Sequence, residues 1–242
     1  MFVEIPFVQG KAAQRAKFRA RVSPRDGLHI GTSQKRCLYG LSLGASARQF
    51  EKAAAGYRWT VEKFGHCSLL LGDGLYRITL RICDGLSEDD ATSISRLLGS
   101  ELLWRFLHLV EDKRPKQIIR SSDLLDDVAF REARSNVQTL CERESAFAQA
   151  VRDDATDFVE RQRRKANIAC TSATALALST QYLIEEITVY LLLAERGWLL
   201  DVYLGRELSA LAAIVEGRVQ TAPPALKRRV NVAIRPRYGR VA

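Results

Sequence analysis

The sequence contains one serine in a setting that suits a nucleophile. Gly40-Leu41-Ser42-Leu43-Gly44 has the form G-x-S-x-G, between an apolar stretch typical of a strand and a stretch with helical periodicity. The glycines permit a sharp turn that exposes the hydroxyl, and the N–H groups of the following helix would stabilise a developing oxyanion. The same pattern also fits a plain strand-to-helix turn in which Ser42 only caps the helix.

The histidines argue against the most familiar use of such a serine. An α/β-hydrolase places its catalytic histidine last, after the acid. The histidines here are His29, His66 and His108, and none follows residue 108. We expect His66 and His108 to be structural, so a reactive Ser42 would pass its proton to another group. A serine hydrolase remains a weaker alternative.

Nucleotide and metal chemistry find no support in the sequence. The pattern G-x-x-x-x-G-K-[ST] is absent, and Gly72-Asp73-Gly74 is too short for a phosphate loop. The five cysteines include no C-x-x-C pair and no Cys/His cluster, which argues against a zinc site and a disulfide scaffold. We therefore expect no metal, no ATP and no other cofactor. Acyl chemistry on Ser42 would then need a substrate that is already activated.

The elements that would position these residues alternate between strands and helices. Apolar runs indicate strands at 36–42, 66–71, 117–119 and 198–204, and periodicity and caps indicate helices over 46–64, 87–110, 136–165, 180–195 and 207–216. Strands that are apolar at successive positions are typical of a parallel sheet covered on both faces. The sequence predicts an α/β fold: a single Rossmann-like domain with a parallel sheet flanked by helices.

The positive charge is concentrated at the two ends of the chain. The net charge is +9, with +6 in residues 1–36, +7 in residues 218–242 and −4 between them. We divide the chain into a basic N-terminal segment (1–35), a catalytic domain (36–217) and a basic C-terminal tail that adds an edge strand at 230–234. Basic ends suggest a polyanionic partner, although two solvated tails would carry the same charge. We expect no signal peptide and no membrane contact, and hence a cytoplasmic protein with free thiols.

Several short motifs follow one another along the chain. They are, in chain order, Leu38–Gly44, the residues Phe50, Phe64 and Asp73, the segments Arg120–Leu124, Glu144–Phe147 and Tyr182–Glu186, and Tyr203. In this order and spacing they resemble the tRNA-dependent cyclodipeptide synthases, over roughly residues 36–215. The resemblance implies the fold of a class I aminoacyl-tRNA synthetase catalytic domain without its ATP motifs.

The resemblance implies a reaction that uses two aminoacyl-tRNAs in turn. Ser42 would attack the first ester and become an aminoacyl-enzyme. The second aminoacyl-tRNA would convert it to a dipeptidyl-enzyme, and cyclisation would release a 2,5-diketopiperazine. A tRNA ester is energy-rich, so a serine can exchange it without a cofactor. The rival interpretation is a catalytically inactive Rossmann-like module that binds RNA through its basic ends.

Three further residues would act with Ser42. Tyr182 and Glu186 are one helical turn apart and so face the same way. By resemblance they hold the amino group of the first aminoacyl moiety, with Glu186 also accepting its proton, and Tyr203 relays protons during dipeptide formation. From the residues alone, Tyr182 could equally pack in the core, Glu186 could cap a surface turn and Tyr203 could be a strand-end aromatic.

The resemblance also indicates which residues contact the aminoacyl groups. The positions that match the first pocket are small or apolar and favour an uncharged residue of moderate size: Leu38, Leu70, Gly72, Ser122 and Val189. Gly40 is expected to be a further substrate-binding residue. Arg161 matches part of the second pocket and favours a polar or acidic second residue. Ala45 and Leu204 depart from residues common in the family, Asn at the first position and Gln, His or Pro at the second. The sequence leaves the two amino acids unspecified.

The tRNA-binding surface also departs from the family pattern. Many members carry a strongly basic helix, and its equivalent at 87–111 has Arg96 and Arg105 against five acids. We therefore expect phosphate contacts from other clusters, Arg163, Arg164 and Lys165 in the long helix and Lys227, Arg228 and Arg229 in the C-terminal tail, in addition to the basic N-terminal segment. We expect the protein to be a monomer.

Overall fold

Six strands form one sheet in the part of the chain that the computed structural model describes, residues 18–24, 36–44, 47–165 and 168–236. The strands are β1 (Phe18–Ser23), β2 (Cys37–Leu41), β3 (Cys67–Leu71), β4 (Ile118–Arg120), β5 (Leu200–Leu204) and β6 (Val230–Pro236). Their order is β1-β6-β5-β2-β3-β4, and every neighbouring pair is parallel except β1 with β6. The predicted α/β fold with a mostly parallel sheet is confirmed.

Helices cover both faces of this sheet. They are α1 (Ala47–Phe64), α2 (Asp73–Asp84), α3 (Glu88–Leu109), α4 (Ser121–Leu125), α5 (Phe130–Arg143), α6 (Ser145–Lys165), α7 (Ser172–Glu195), α8 (Ser209–Val215) and α9 (Pro224–Lys227), with a 3-10 turn at Glu111–Lys113. Two neighbours on β2 show the layering, because successive side chains of a strand point to opposite faces. Leu38 packs in the core beneath α5 to α9, and Tyr39 packs in the core beneath α1 and the end of α3.

The central helix α7 is the most apolar of the long helices. It is long and apolar enough to cross a membrane, but most of its side chains are buried among the other helices and the sheet. That burial is what a core helix of a layered domain requires. The two helices predicted to stop at glycines do so, since Gly65 and Gly197 have φ of 75° and 86°, which glycine adopts without a steric penalty.

The structure corrects the sequence prediction at the C-terminal strand. A strand was predicted at 230–234 and is present as β6, but it lies inside the sheet and not at its edge. β1, which the sequence analysis did not predict, pairs with its outer side. β6 is buried at its first five positions, so covering its outer side keeps an apolar strand from being exposed as an edge.

Two other elements differ from the prediction. The helix predicted over 136–165 is two helices, because Glu144 has an extended backbone (φ −114°, ψ 97°) between α5 and α6. The Glu144 carboxylate accepts a hydrogen bond from the Thr221 backbone N–H at 2.7 Å. The second difference is α2, a helix that the sequence analysis did not predict. These corrections matter for the site because α2 and α6 both border it.

Candidate functional site

The predicted nucleophile lies at the mouth of a cavity. Ser42 directly follows β2 and is exposed. The carboxyl ends of β2, β3 and β5 open onto a cavity of about 590 Å³ that α2, α6 and α7 border, and Ser42 is among its lining residues. Ligands of open parallel sheets bind at this end of the strands. None of the described residues that line the cavity is a histidine, and His66 and His108 are exposed elsewhere; His29 lies outside the described residues.

Tyr203 on β5 lies beside Ser42, because it is the register partner of Gly40 and its hydroxyl interacts with the Ser42 side chain. Glycines on both sides make room for its ring. A Cβ at Gly40 would stand 3.0 Å from Tyr203 Cδ2, and a Cβ at Gly205 would stand 2.8 Å from Tyr203 Cε1. The first glycine of the G-x-S-x-G pattern therefore serves the tyrosine as well as the turn.

The Tyr203 hydroxyl is a proton donor at neutral pH. Burial raises the pKa of Tyr203 to about 12, the negative charge of Glu186 adds to this, and the hydrogen bond with Ser42 opposes it. A neutral phenol beside the serine can hold a proton and return it, as a relay requires.

Tyr182 and Glu186 lie on one face of α7, as their spacing predicted, and both line the cavity. Tyr182 stacks on Phe158 of α6, with ring centroids 5.3 Å apart. Burial raises the pKa of Glu186 to about 8, and the charges of Asp201 and Asp154 raise it further against the opposing effect of Arg229 and Arg161. A carboxyl with this pKa exchanges a proton near neutral pH, which suits a general base.

The adjacent acid, Glu185, has a structural role. It is 1% exposed, and it accepts hydrogen bonds from Arg77 Nη2 at 2.8 Å and Gln181 Nε2 at 2.9 Å. Arg77 also pairs with Glu88 of α3 at 2.6 Å. A buried carboxylate is stable only when it is paired and hydrogen-bonded in this way. Glu185 thus holds α2 and α3 in place through Arg77, whereas Glu186 faces the cavity.

A buried carboxylate on α2 holds one wall of the cavity in place. Asp73 accepts hydrogen bonds from the Ser122 N–H at 3.1 Å and the Ser122 hydroxyl at 2.9 Å, and it pairs with Arg120 at 2.6 Å. The Gly72 N–H, one residue earlier, donates to the Leu41 carbonyl at 2.9 Å. These contacts join the ends of β2 and β4 to the start of α2.

The predicted substrate-binding residues fall into two groups. Gly40, Leu70, Gly72 and Val189 line the cavity, as does Arg161, which was predicted for the second pocket; these are the residues that the structure brings together around Ser42. Leu38 and Ser122 do not line it, and this corrects the prediction. Leu38 is fully buried in the core beneath the cavity, and the Ser122 hydroxyl is turned to Asp73, so that Ser121 lines the cavity instead.

A polar floor under the cavity was missed by the sequence analysis. Asp201 and Asn231 are register partners on β5 and β6, and both are buried and line the cavity. Asn231 Nδ2 donates to Glu207 Oε1 at 2.8 Å, while Asn231 Oδ1 and Asp201 Oδ1 have no hydrogen-bond partner among the described residues. One signal pointed to Asp201: it is an acid inside an apolar strand, two residues before Tyr203 and so on the same face.

Arg229 belongs to this floor and not to the basic surface predicted for it. It is 1% exposed, its guanidinium lies 4.0 Å from the centroid of the Tyr190 ring, and its Nη2 is 3.4 Å from Asp201 Oδ2. The prediction that Arg229 contacts tRNA phosphates is wrong, because the surrounding side chains keep it from the surface. Its positive charge instead lowers the pKa of Asp201 and of Glu186, which opposes the effect of burial on both carboxyl groups.

The other predicted phosphate-binding residues are on the surface. Arg163 and Arg164 are exposed near the end of α6, with Arg163 donating to Ser172 at 2.5 Å. Lys227 and Arg228 are exposed at α9. The Lys165 side chain and residues 1–17 lie outside the described part of the chain. On α3, Arg96 and Arg105 form ion pairs with Asp126 and Glu101.

Comparison with known proteins identifies the family. A sequence profile described as cyclodipeptide synthase matches residues 25–195, which is more than half of the chain. The chain belongs to the cyclodipeptide synthase family. A search of curated protein sequences found no match.

Solved structures of cyclodipeptide synthases share the fold. One from Fluoribacter dumoffii is 22% identical, with a TM-score of 0.74, covering 91% of this chain and 99% of that one. A Mycobacterium tuberculosis protein, described as showing that these enzymes are related to type I tRNA synthetases, is 15% identical, with a TM-score of 0.67, covering 96% and 100%. A synthase from Candidatus Glomeribacter gigasporarum, bound to Phe-tRNA, is 17% identical, with a TM-score of 0.60, covering 90% and 96%.

Proposed function

We propose that this cyclodipeptide synthase joins the aminoacyl groups of two aminoacyl-tRNAs through an ester on Ser42. The observation that carries the proposal is the exposed Ser42, which lies beside Tyr203 in a cavity that Tyr182 and Glu186 also line. No activation step is needed, because a tRNA ester and a seryl ester have similar energies and the serine exchanges one for the other.

In the first step, the Ser42 oxygen attacks the carbonyl carbon of the first aminoacyl ester. The new C–O bond to Ser42 forms as the C–O bond to the terminal ribose of the tRNA breaks, and the serine proton ends on the released ribose hydroxyl. The hydrogen bond between Ser42 and Tyr203 provides the route for this proton. The bound aminoacyl group extends over Gly40, Leu70, Gly72 and Val189, which are small or apolar and favour an uncharged side chain.

In the second step, the α-amine of the Ser42-bound residue attacks the ester of the second aminoacyl-tRNA. That amine must first lose a proton from its ammonium form. The Glu186 carboxylate accepts it, since the pKa of about 8 lies close to that of an α-ammonium and makes the transfer nearly even in energy. The new amide bond forms as the C–O bond to the second ribose breaks, and the proton that the attacking amine loses ends on the released ribose hydroxyl. The products are a dipeptidyl-enzyme and a second free tRNA.

In the last step, the new N-terminal amine attacks the seryl ester. A second amide bond closes the six-membered ring, the bond to Ser42 breaks, and the amine proton returns to the Ser42 oxygen. Tyr203 is placed to carry this proton because it already contacts that oxygen. The enzyme is regenerated and the cyclic dipeptide leaves.

The second aminoacyl group meets a different chemical environment. Arg161 alone would favour an acidic side chain there, but the floor presents unpaired acceptor oxygens of Asp201 and Asn231. Burying a further carboxylate against them is unfavourable. We therefore propose that the second residue is polar and donates hydrogen bonds.

Transfer RNA is proposed as the carrier because of surface charge. Arg163, Arg164, Lys227 and Arg228 are exposed, and the related synthase from Candidatus Glomeribacter gigasporarum was solved with Phe-tRNA bound. Contacts to phosphates do not depend on base sequence, so the two tRNAs can be bound in the same way.

The test is the fate of Ser42→Ala. The native enzyme should be labelled covalently at residue 42 by aminoacyl-tRNA and should release diketopiperazines into the medium of an expressing bacterium, both read by mass spectrometry. Ser42→Ala should lose both signals, whereas Ser100→Ala, at an exposed serine on α3, should keep them. A labelled and active Ser42→Ala protein would refute the mechanism. RNA binding with no label on the native protein would favour the inactive binding module.

A further inference from the structure

Helix α3 carries an exposed stripe that none of the described residues covers. The stripe positions are separated alternately by four and three residues: Asp90, Ile94, Leu97, Glu101, Trp104 and His108. Leu97 is 71% exposed and Trp104 is 63% exposed. The opposite side of the helix, including Gly99 and Phe106, is buried. Alternating spacings of four and three residues form the contact line of a helix that pairs with another helix.

The charges along this stripe complement one another only in one orientation. In an antiparallel pair of identical helices whose two-fold axis crosses the stripe at the level of position 99, Ile94 faces Trp104 of the second copy and Leu97 faces Glu101. Asp90 then faces His108 of the second copy. A parallel pair would instead place Asp90 against Asp90 and Glu101 against Glu101, and like charges in contact are unfavourable.

The ends of the helix carry charges of both signs. α3 begins with the acids Glu88, Asp89 and Asp90, and the 3-10 turn that follows it contains Glu111 and Asp112 as well as Lys113. Lys113 and Arg114 already pair with Glu62 and Glu111, so the contact between Asp90 and His108 is what favours the antiparallel orientation. Glu101, near the middle, already pairs with Arg105 at 3.7 Å, so its charge is partly neutralised where it meets Leu97.

We propose that α3 pairs with α3 of a second copy of this chain, antiparallel and in the register that the stripe defines, to form a reversible homodimer. The stripe runs over 19 residues from Asp90 to His108, or about 27 Å for the 18 steps between them at 1.5 Å each. One helix pair of this length buries less than the roughly 800 Å² per partner of a typical stable interface. The dimer is therefore concentration-dependent. This replaces the monomer expected from the sequence, and it does not depend on the proposed chemistry at Ser42.

Disulfide crosslinking tests the register. Ile94→Cys chains are mixed with Trp104→Cys chains that carry a different tag, and the mixture is oxidised. The two new cysteines should meet across the pair and give a disulfide-linked dimer that contains both tags. Two copies of residue 94 are about 15 Å apart along the axis, beyond the roughly 7 Å between Cα atoms that a disulfide spans, so neither variant alone should crosslink. The native protein gives the background from its five cysteines.

Sedimentation of the full chain tests the dimer itself. The native protein should show a monomer–dimer equilibrium, and Leu97→Glu should raise the dissociation constant about tenfold or more, since it buries a charge against the partner. Val128→Glu, at a residue 96% exposed outside the stripe, is the matched control and should leave the constant unchanged.

Three results would overturn the proposal. They are a native protein that stays monomeric at every concentration reached, a Leu97→Glu protein that dimerises like the native one, and crosslinks that are as strong in the single variants as in the mixture. A monomer in which Leu97→Glu weakens aminoacyl-tRNA binding would also overturn it, and would assign the stripe to RNA.

Discussion

Adding one methyl group beside Tyr203 should disable the serine without unfolding the protein. In Gly40→Ala the new Cβ lies 3.0 Å from Tyr203 Cδ2, whereas ordinary contacts begin near 3.4 Å, so the ring must move by about 0.4 Å. It has little room to do so, because the Gly205 backbone closes the opposite side. The cost to folding should be about 1–3 kcal/mol, the usual range for overpacking.

The larger effect should be on the reaction. Displacing the ring moves the Tyr203 hydroxyl relative to Ser42, and small misplacements of reacting groups reduce rates by up to about a hundredfold. We expect Gly40→Ala to lower the rate of Ser42 acylation by aminoacyl-tRNA by about tenfold to a hundredfold. The measurement is the time course of the acylated protein by mass spectrometry, at a temperature well below the melting transition.

The other glycine of the motif is the matched control. A Cβ at Gly44 would stand 3.5 Å from Tyr76 Cε2, which is an ordinary contact, so Gly44→Ala should keep nearly the native rate. Both variants make the same chemical change two residues from Ser42. Equal acylation rates for Gly40→Ala and Gly44→Ala would show that the space around the Tyr203 ring does not affect Ser42, and would refute the prediction.

Three further predictions concern other parts of the site. Glu186 has its pKa raised from 4.5 to about 8, so the folded protein holds this proton more tightly than the unfolded chain, and stability should fall as pH rises between these values. Glu186→Gln should flatten that slope in urea denaturation measured across the window; an unchanged slope would contradict the buried placement. Asp73→Asn should lower the free energy of unfolding by about 3 kcal/mol, because it breaks a buried ion pair, whereas Asn at the exposed Asp123 should have little effect on the urea midpoint. Replacing Arg163 and Arg164 by Gln should reduce the slope of log affinity for aminoacyl-tRNA against log salt by about 0.7 to 0.9 for each phosphate that the variant no longer neutralises, measured by fluorescence anisotropy; identical slopes would place the tRNA elsewhere.

Local pattern alone was enough to predict where several residues of the candidate site lie in the fold. The apolar run before Ser42 and the periodicity after it place the serine at the end of a buried strand, and the structure has β2 and α1 there. The spacing of Tyr182 and Glu186 places both on one side of a helix, and both line the cavity. These inferences held because they depend on the periods of single strands and helices, which neighbouring residues determine.

The tertiary structure decided which distant segments meet. The sequence contains no local signal that β5 lies next to β2, yet that neighbour relation puts Tyr203 beside Ser42 and between Gly40 and Gly205. In the sequence, Arg229 is one of several cations in a basic tail. In the structure it directly precedes β6, which is buried inside the sheet, and it therefore lies beneath the cavity next to Asp201. The sequence determines the charge and polarity of each residue. The order of the strands determines whether that residue is exposed to solvent. Strand order depends on the whole chain, because the arrangement of remote strands that forms is the one that buries the apolar surface of all of them together.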